Sequence, residues 1–346
     1  MPPSLFRFAL TVIAMLLLIS SPGVAAAKKS PAHRQLTMEA VNDAEWSRGA
    51  SQSSRALLVK IQVLLDRAHA SPGQIDATRG ENTRKAIVAF REMRDLGAGE
   101  RIDQQLWRAL VDQDSDPILI RYTISEADVA GPFIDHVPED FRDKAKLKRL
   151  SYTSARELLA EKFHMSERLL QELNPDVSFD TAGTEIVVTN VEREELPRKI
   201  ARVEVDASRQ RVRAYDPDDR IILVYPATVG SSERPSPTGE FKVSTIAHNP
   251  TYHYDPSLNF RGVDVDEKLE LPPGPNNPVG PVWIGLTAKG YGIHGTPDPD
   301  AVGKRASHGC IRLTNWDALE LAKHVRKGTP VTVGRAMREG RHGKDR

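Results

Sequence analysis

The residues most able to do chemistry lie in two short glycine-rich stretches near the carboxyl end of the chain. The first is Tyr291-Gly-Ile-His-Gly-Thr296 and the second is Ser307-His-Gly-Cys-Ile-Arg-Leu313. Cys310 is the only cysteine in the 346 residues, so it cannot form an intramolecular disulfide. A thiol is a good nucleophile only as a thiolate, which requires a nearby base or positive charge. Two nearby histidines therefore predict a cysteine acyl-transfer site.

The glycines in these stretches have a chemical use of their own. Gly295 follows His294, and Gly309 directly precedes Cys310. Where no Cβ is present, backbone N–H groups can approach a reacting carbonyl and stabilise its oxyanion. We expect the N–H groups of Gly309 and Cys310 to be these donors.

A lone cysteine has two other common interpretations. Most unpaired cysteines are buried and inert. A metal site made of His294, His308 and Cys310 is the second alternative, but it lacks a fourth ligand and the spacing of a zinc finger. We predict that no metal ion or organic cofactor is needed.

The complete string decides between these interpretations. It resembles the signature of the L,D-transpeptidase catalytic (YkuD) family, in which an IHGT-like segment precedes SHGC(I/L)R(L/M)xN, and residues 293–296 and 307–315 match it nearly letter for letter. The segments Arg234-Pro-Ser-Pro-Thr-Gly-Glu-Phe241 and Gly280-Pro-Val-Trp-Ile-Gly-Leu286 also resemble this family. The resemblance covers about residues 198–334 and implies a catalytic domain with a cysteine nucleophile.

The choice of general base rests on this resemblance. From the residues alone either histidine could serve, because His308 lies two positions from Cys310 and His294 comes from another strand end. The resemblance implies that His294 is the base and that His308 is a nearby structural or oxyanion-side residue. No acidic residue lies beside His294 in the sequence. Its expected orienting partner is therefore a backbone carbonyl, that of Gly295.

Three further residues are expected on the substrate side of the site. Arg312 can bind a substrate carboxylate through its guanidinium, and the family has an arginine at this place. Ser307 and Tyr291 are assigned to the same substrate-binding group, and Ser307 is also expected to fix the turn by hydrogen bonding. Trp283 is expected to be a core residue.

The resemblance also implies the reaction. Cys310 would attack the diamino-acid carbonyl of a tetrapeptide stem of peptidoglycan, expel D-Ala and form a thioester. An amine of a second stem, or of a wall-anchored protein, would then resolve the thioester. Water as the acceptor would give an L,D-carboxypeptidase, and a catalytically degenerate peptidoglycan-binding scaffold protein is the alternative from another class. Carbapenems commonly acylate the same sulfur in this family.

The amino-terminal residues and the net charge predict the compartment. Residues 1–27 contain a weakly basic start, an apolar run and small residues before position 28, which is typical of a signal peptide, with an uncleaved membrane anchor as the alternative. An exported protein, in the periplasm or cell envelope, is therefore expected. The net charge of +1 gives no electrostatic reason to expect a nucleic-acid partner.

Residues 51–112 have helical periodicity and are predicted to form a small three-helix bundle. The segment resembles a peptidoglycan-binding helical domain, with departures at Ala77 and Arg91. The matching positions are Gln62, Leu65, Asp76, Gly80, Thr83, Ala86, Phe90, Asp103, Leu106, Trp107 and Leu110. The resemblance implies binding to peptidoglycan glycan strands, and a bundle that only spaces or docks is the alternative.

The remaining sequence predicts two more domains, so the fold class is multidomain α+β. Residues 118–190 resemble a LysM glycan-binding module, a βααβ unit, with an insertion after the first strand. Residues 198–334 alternate with period two and predict a mainly antiparallel, sandwich-like or barrel-like catalytic domain with one helix. Within it, residues 248–278 are predicted to be a long loop, a candidate lid. Residues 335–346 form a charged tail.

Overall fold

The computed structural model describes residues 36–48, 54–112, 114–193, 195–196, 199–230, 236–258, 265–304 and 309–334. The predicted signal peptide and the charged tail lie outside these ranges, as do Ser307 and His308. The described residues form one compact unit. Within these ranges, no helix combines the length and apolar content that a bilayer crossing needs.

The first part of the unit is helical. Its helices are α1 Met38–Asn42, α2 Arg55–Arg67, α3 Glu81–Met93 and α4 Gln104–Val111. The last three occupy the predicted segments, and Asp103 caps α4 by accepting a hydrogen bond from the Leu106 N–H. Leu65, Phe90 and Leu106 are fully buried, so the apolar positions that suggested helices form the core.

The second part has the predicted strand, helix, helix, strand order. β1 Leu119–Thr123 pairs antiparallel with β2 Glu185–Thr189. The helices between these strands are α5 Glu126–Val129, α6 Phe141–Lys146, α7 Ala155–Lys162 and α8 Glu167–Leu173, of which the first two lie in the insertion. Ser154 caps α7 by accepting a hydrogen bond from the Glu157 N–H.

These two parts share a single hydrophobic core. Backbone pairing reinforces it, because Ile75 donates its N–H to the His164 carbonyl at 2.8 Å. The segment between α2 and α3 also reaches residues 198–334, the part of the chain predicted to be catalytic, which we call the catalytic part. There the Ser71 N–H bonds the Val224 carbonyl at 3.0 Å. The predicted modules are therefore packed on the catalytic part in the folded chain.

The catalytic part is mostly β-structure, as predicted. Its strands are β3 Arg202–Asp206, β4 Arg211–Tyr215, β5 Ile221–Pro226, β6 Thr228–Val229, β7 Gly239–His248, β8 Tyr252–Tyr254, β9 Leu269–Leu271, β10 Val282–Leu286, β11 Gly292–His294, β12 Ile311–Arg312 and β13 Pro330–Gly334. All but β8 and β9 form one sheet in the order β5-β4-β3-β13-β7-β10-β11-β12-β6. Among the described residues of this part, the long helix is α9 Asn315–His324, capped by Thr314.

The sheet is continuous and mixed rather than a pair of antiparallel sheets. β13 pairs parallel with β3, and β11 pairs parallel with β12, whereas the other neighbours are antiparallel. Only Ala227 separates β5 from β6, the strands at the two ends of the sheet. The sheet must therefore curl back on itself, which gives it a barrel-like form around one apolar core.

Residues 248–278, predicted to be a long loop, contain two short strands in the part of this stretch that the structure describes. β8 and β9 pair antiparallel as a small hairpin. Phe141 of α6 packs edge-on against Tyr252 and Tyr254, with ring centroids 6.4 and 5.2 Å away. Apolar packing against the insertion orders this hairpin, and the sequence of residues 248–278 alone does not show that contact.

A buried charge cluster joins the helical and catalytic parts. Arg193, which follows β2, lies 2.6 Å from Asp66 of α2 and 3.1 Å from Asp317 of α9, and it also pairs with Glu320. Asp66 and Asp317 have no exposed surface. Buried carboxylates of this kind are tolerated only while a cation and hydrogen bonds compensate them.

Replacing Arg193 should therefore destabilise the fold strongly. Arg193→Met leaves three carboxylates without their shared cation, and we expect a loss of about 3–5 kcal/mol in the free energy of unfolding. Urea unfolding followed by circular dichroism measures it. Lys323→Met is the control, because Lys323 pairs with Glu195 on the surface and should change stability by at most about 1 kcal/mol. Equal losses in the two variants would contradict the importance of this cluster.

Candidate active site

The parallel pairing of β11 with β12 determines where the predicted nucleophile and base lie. Ile293 and Ile311 face each other across the pair, and both are buried in the core. Since side chains alternate along a strand, His294 and Cys310 project from the other face. Strand spacing and rise put their Cα atoms about 8 Å apart, a gap that a thiol and an imidazole can bridge.

The His294 ring is held on two sides. Its Nδ1 lies 2.6 Å from the Gly295 carbonyl oxygen, the partner proposed from the sequence. Because a carbonyl only accepts, Nδ1 carries the proton and Nε2 keeps the lone pair that a base needs. Trp283, opposite on β10, stacks on the ring with centroids 5.4 Å apart and planes 19° apart. Trp283 is partly exposed and covers the imidazole, so its prediction as a core residue is wrong.

The Cys310 sulfur lies at the start of β11. Its Sγ is 3.9 Å from the Gly290 carbonyl oxygen, and the Gly292 N–H bonds to the sulfur. The preceding turn needs glycine, because Gly309 has φ +110°. The Ser236 hydroxyl donates to the Gly309 carbonyl at 2.6 Å and fixes this turn. Ser236 lies 73 residues before Gly309, and no spacing signal in the sequence indicated this contact.

Comparison with known proteins agrees with this geometry. Residues 200–333 match the model of the L,D-transpeptidase catalytic domain, YkuD. YkuD of Bacillus licheniformis is 31% identical over 180 residues, which cover 51% of this chain and 92% of that protein. YkuD of Bacillus subtilis is 32% identical over 179 residues, with the same coverage of 51% and 92%. The chain belongs to the L,D-transpeptidase family. It is an enzyme of this type.

A more distant relative shows how far the similarity extends. ErfK/SrfK of Escherichia coli K12 is 29% identical over 191 residues, which cover 52% of this chain and 59% of that protein. All three relatives match about half of this L,D-transpeptidase. The family model itself begins after β2, so it does not include the helical part or the strand-helix-helix-strand part.

Burial favours the neutral forms of both His294 and Cys310. Burial, and next the Arg312 charge, lower the pKa of His294 to about 3. Burial raises the pKa of the Cys310 thiol, although the Gly292 N–H and Arg312 act in the other direction. The free enzyme therefore holds a neutral thiol and an unprotonated imidazole on the same face of the sheet. This arrangement suits general-base activation of the thiol in the reaction itself.

Arg312 is the cation of the site. It faces His294 in the strand register, and among the described residues its buried Nε has no hydrogen-bond partner. Tyr252 of the β8–β9 hairpin also borders the site. Burial raises the pKa of its hydroxyl, and the charges of Cys310 and Arg312 also act on that hydroxyl. An arginine whose Nε has no partner among the described residues, and whose charge acts on Cys310, can bind a carboxylate.

The structure gives less information on the other predicted site residues. Tyr291 is partly exposed in the turn between β10 and β11, next to Gly290. Ser307 and His308 lie outside the described residues, so their roles stay predictions, as do the oxyanion donors. Across the part of the chain that the structure describes, no three His, Cys, Asp or Glu side chains group as a metal site.

The resting protonation state can be tested directly. We expect the ultraviolet thiolate absorbance of the free enzyme to be absent near pH 7 and to appear only above the ordinary thiol pKa of about 8.5, because burial raises the pKa of Cys310. Cys310→Ser gives the baseline, since it removes the only thiol. His294→Ala should leave the titration nearly unchanged. Thiolate absorbance with a midpoint below about pH 7 would instead indicate a thiolate–imidazolium pair.

Proposed function

We propose that this protein is a peptidoglycan L,D-transpeptidase that works through an acyl-enzyme on Cys310. The placement of Cys310 and His294 on one sheet face carries the proposal. The sulfur attacks the diamino-acid carbonyl of a tetrapeptide stem, and His294 Nε2 takes the thiol proton. When the C–N bond to D-Ala breaks, the imidazolium returns this proton to the leaving amine, and a thioester remains.

The second half of the reaction needs an acceptor. A side-chain amine of another stem peptide attacks the thioester and loses its proton to His294, which restores the thiol and forms a new amide. An amine of a wall-anchored protein would react in the same way, whereas water would give an L,D-carboxypeptidase. Muropeptide analysis of the product separates these outcomes.

Arg312 is proposed to select the substrate. The guanidinium lies beside the nucleophile, and its buried Nε lacks a partner in the described part of the chain. Stem peptides carry carboxylates, which a guanidinium binds through paired hydrogen bonds. Gly309 and Cys310 N–H groups, with His308 near them, are proposed to stabilise the oxyanion.

We also propose that the enzyme acts after export, in the periplasm or cell envelope, where its substrate lies. Binding of glycan strands by residues 51–112 and 118–190 is supported only by the family resemblances of these segments. In the helical part, most of the matching positions, such as Leu65, Phe90 and Trp107, are buried in the core. Such positions support the fold, and a glycan would have to bind elsewhere on the surface.

Incubation with a carbapenem tests the chemistry. We expect mass spectrometry to find one stoichiometric adduct on the wild-type protein and none on Cys310→Ala, because the sulfur is the acylated atom. His294→Ala should slow acylation by about 10²–10⁴-fold, the usual contribution of a general base. His308→Ala should slow it less.

Two results would contradict the assignment. If the wild-type protein stays unmodified and releases no D-Ala from a tetrapeptide stem, the degenerate scaffold becomes the better interpretation. If His308→Ala slows acylation more than His294→Ala does, the two histidines exchange roles.

Substrate selection by Arg312 makes a separate prediction. Arg312→Met removes a charged hydrogen bond worth about 1.5–3 kcal/mol, so kcat/KM for stem peptides with free carboxylates should fall by about 10- to 150-fold. Steady-state kinetics with amidated stem peptides provide the control. These substrates lack the carboxylate charge, so the substitution should lower their kcat/KM much less. Equal losses for the two substrates would show that Arg312 does not bind a substrate carboxylate.

A further inference from the structure

The peptide bond between Gly295 and Thr296 has hydrogen bonds at both of its polar groups. Its carbonyl, on Gly295, accepts from His294 Nδ1 at 2.6 Å. Its N–H, on Thr296, donates to the Asn315 side-chain oxygen at 2.8 Å. A peptide group is planar, so neither polar group can turn without the other. Asn315 therefore fixes the carbonyl that orients the His294 ring.

Asn315 is in turn held by a carboxylate from outside the catalytic part. Its Nδ2 donates to the two carboxylate oxygens of Glu161 at 2.9 and 3.1 Å, and to the Pro275 carbonyl at 3.2 Å. Glu161 belongs to α7 and lies 154 residues before Asn315. The Tyr152 hydroxyl donates to the same carboxylate at 2.9 Å. Every donor aimed at Glu161 here suits an ionised carboxylate.

The space around Asn315 leaves this chain of contacts little freedom. A Cβ at Gly295 would lie 2.2 Å from the Asn315 side-chain oxygen, and a Cβ at Gly280 would lie 2.3 Å from it. Both distances are far below van der Waals contact. The Asn315 amide is thus packed directly on two glycine backbones, so a larger residue at either position would displace the relay, the hydrogen-bonded chain from His294 to Glu161.

We propose that Glu161 is a positioning residue for His294 and acts through Asn315 and the Gly295–Thr296 peptide. The inference rests on the proposed function, in which His294 is the base. When the imidazole takes the thiol proton it becomes positive, and a negative charge at the far end of a hydrogen-bonded chain stabilises it through polarised amides. An adjacent carboxylate has this role in a Ser-His-Asp triad. Here the carboxylate comes from the part of the chain that precedes the catalytic part.

Keeping Glu161 ionised costs free energy, and packing alone does not explain why a charged residue lies at this position. Burial, and to a smaller extent the nearby Glu157 charge, raise the pKa of this carboxyl to about 7, against the lowering effect of the hydrogen bonds from Asn315 and Tyr152. A neutral glutamine could still accept a hydrogen bond from Asn315 without that cost. A carboxylate kept at an unfavourable place, and connected to His294 through hydrogen bonds, is consistent with a use in the reaction.

The titration of Glu161 can be distinguished from that of the reacting pair. The pKa of His294 is lowered to about 3, whereas those of the Cys310 thiol and the Tyr152 hydroxyl are raised above their ordinary values. Among the residues that the structure describes, the ionisable groups that act on the Glu161 carboxyl are Tyr152 and Glu157. Below its own pKa, Glu161 is neutral and loses its effect. The acylation rate should therefore fall as the pH decreases through about 7.

The test uses the full-length enzyme and the variant Glu161→Gln. Above about pH 7 we expect the carbapenem acylation rate of this variant to be about 10-fold below that of wild type. The loss of the hydrogen-bond partner behind a metal-bound histidine costs about 10–100-fold, and the effect expected here is at the lower end of that range. The decrease near pH 7 should disappear. The His294 Nδ1–H proton resonance in NMR should move upfield, because its hydrogen bond weakens. Glu167→Gln is the matched control: this carboxylate lies on α8 and pairs with Arg156 at 2.7 Å, away from the relay.

Stability separates a positioning role from a structural one. The pKa of Glu161 is raised above the ordinary 4.5, so the folded protein binds this proton more tightly than the unfolded chain does, and stability is lost as the pH rises through 4.5 to about 7. Glu161→Gln should therefore be at least as stable as wild type above that window, although it reacts more slowly. A purely structural residue would lose stability and activity together.

The outcomes distinguish failure of this inference from failure of the proposed function. If wild type is acylated and Glu161→Gln matches it at every pH, with an unchanged NMR resonance, the inference is wrong and the proposed function stands. If wild type is never acylated, the proposed function itself fails. Should Glu161→Gln not fold, the wild-type pH profile decides, because a flat profile near pH 7 overturns the inference and a decrease there supports it.

Discussion

The two-residue pairing of β11 with β12 is the contact on which the site depends. Strands this short are marginal alone, and the structure supports them on both sides. β10 pairs with β11, β6 pairs with β12, and the Leu313 N–H extends the pairing to the His294 carbonyl at 2.9 Å. Because Ile293 and Ile311 fill the core on one face, apolar packing fixes the register that puts Cys310 and His294 on the same opposite face.

This packing also explains the electrostatics. The burial that fixes the strands removes water from the reacting groups, so the thiol and the imidazole are both most stable in their neutral forms. The Arg312 charge lowers the pKa of His294 further. A substrate carboxylate bound at Arg312 would offset that charge and make the imidazole a stronger base. Substrate binding and activation of the nucleophile would then be coupled through a single guanidinium.

The sequence predicted what depends on local pattern and missed what depends on distant contacts. Motif letters selected Cys310 and His294 as candidates, which the sheet places on one face, and periodicity located the long strands and the helices α2 to α4. β11 and β12 are too short to show periodicity, and the β8–β9 hairpin is ordered by Phe141 of the insertion. Ser236 and Glu161 act on residues 73 and 154 positions away, and no local spacing encodes such contacts.

Helix α9 shows why the parts of the chain form a single working unit. It begins shortly after β12, and residues from the part that precedes the catalytic sheet contact its first turn. Asn315 bonds Glu161 of α7, Trp316 stacks on His164 with ring centroids 4.9 Å apart, and Asp317 pairs with Arg193. Because these residues are packed against α9, the part of the chain that contains them cannot act as a flexible tether to the cell wall. The part that precedes the catalytic sheet instead contributes the far end of the hydrogen bonds that hold His294, so the sheet alone is not the smallest unit in which the proposed base is fully held.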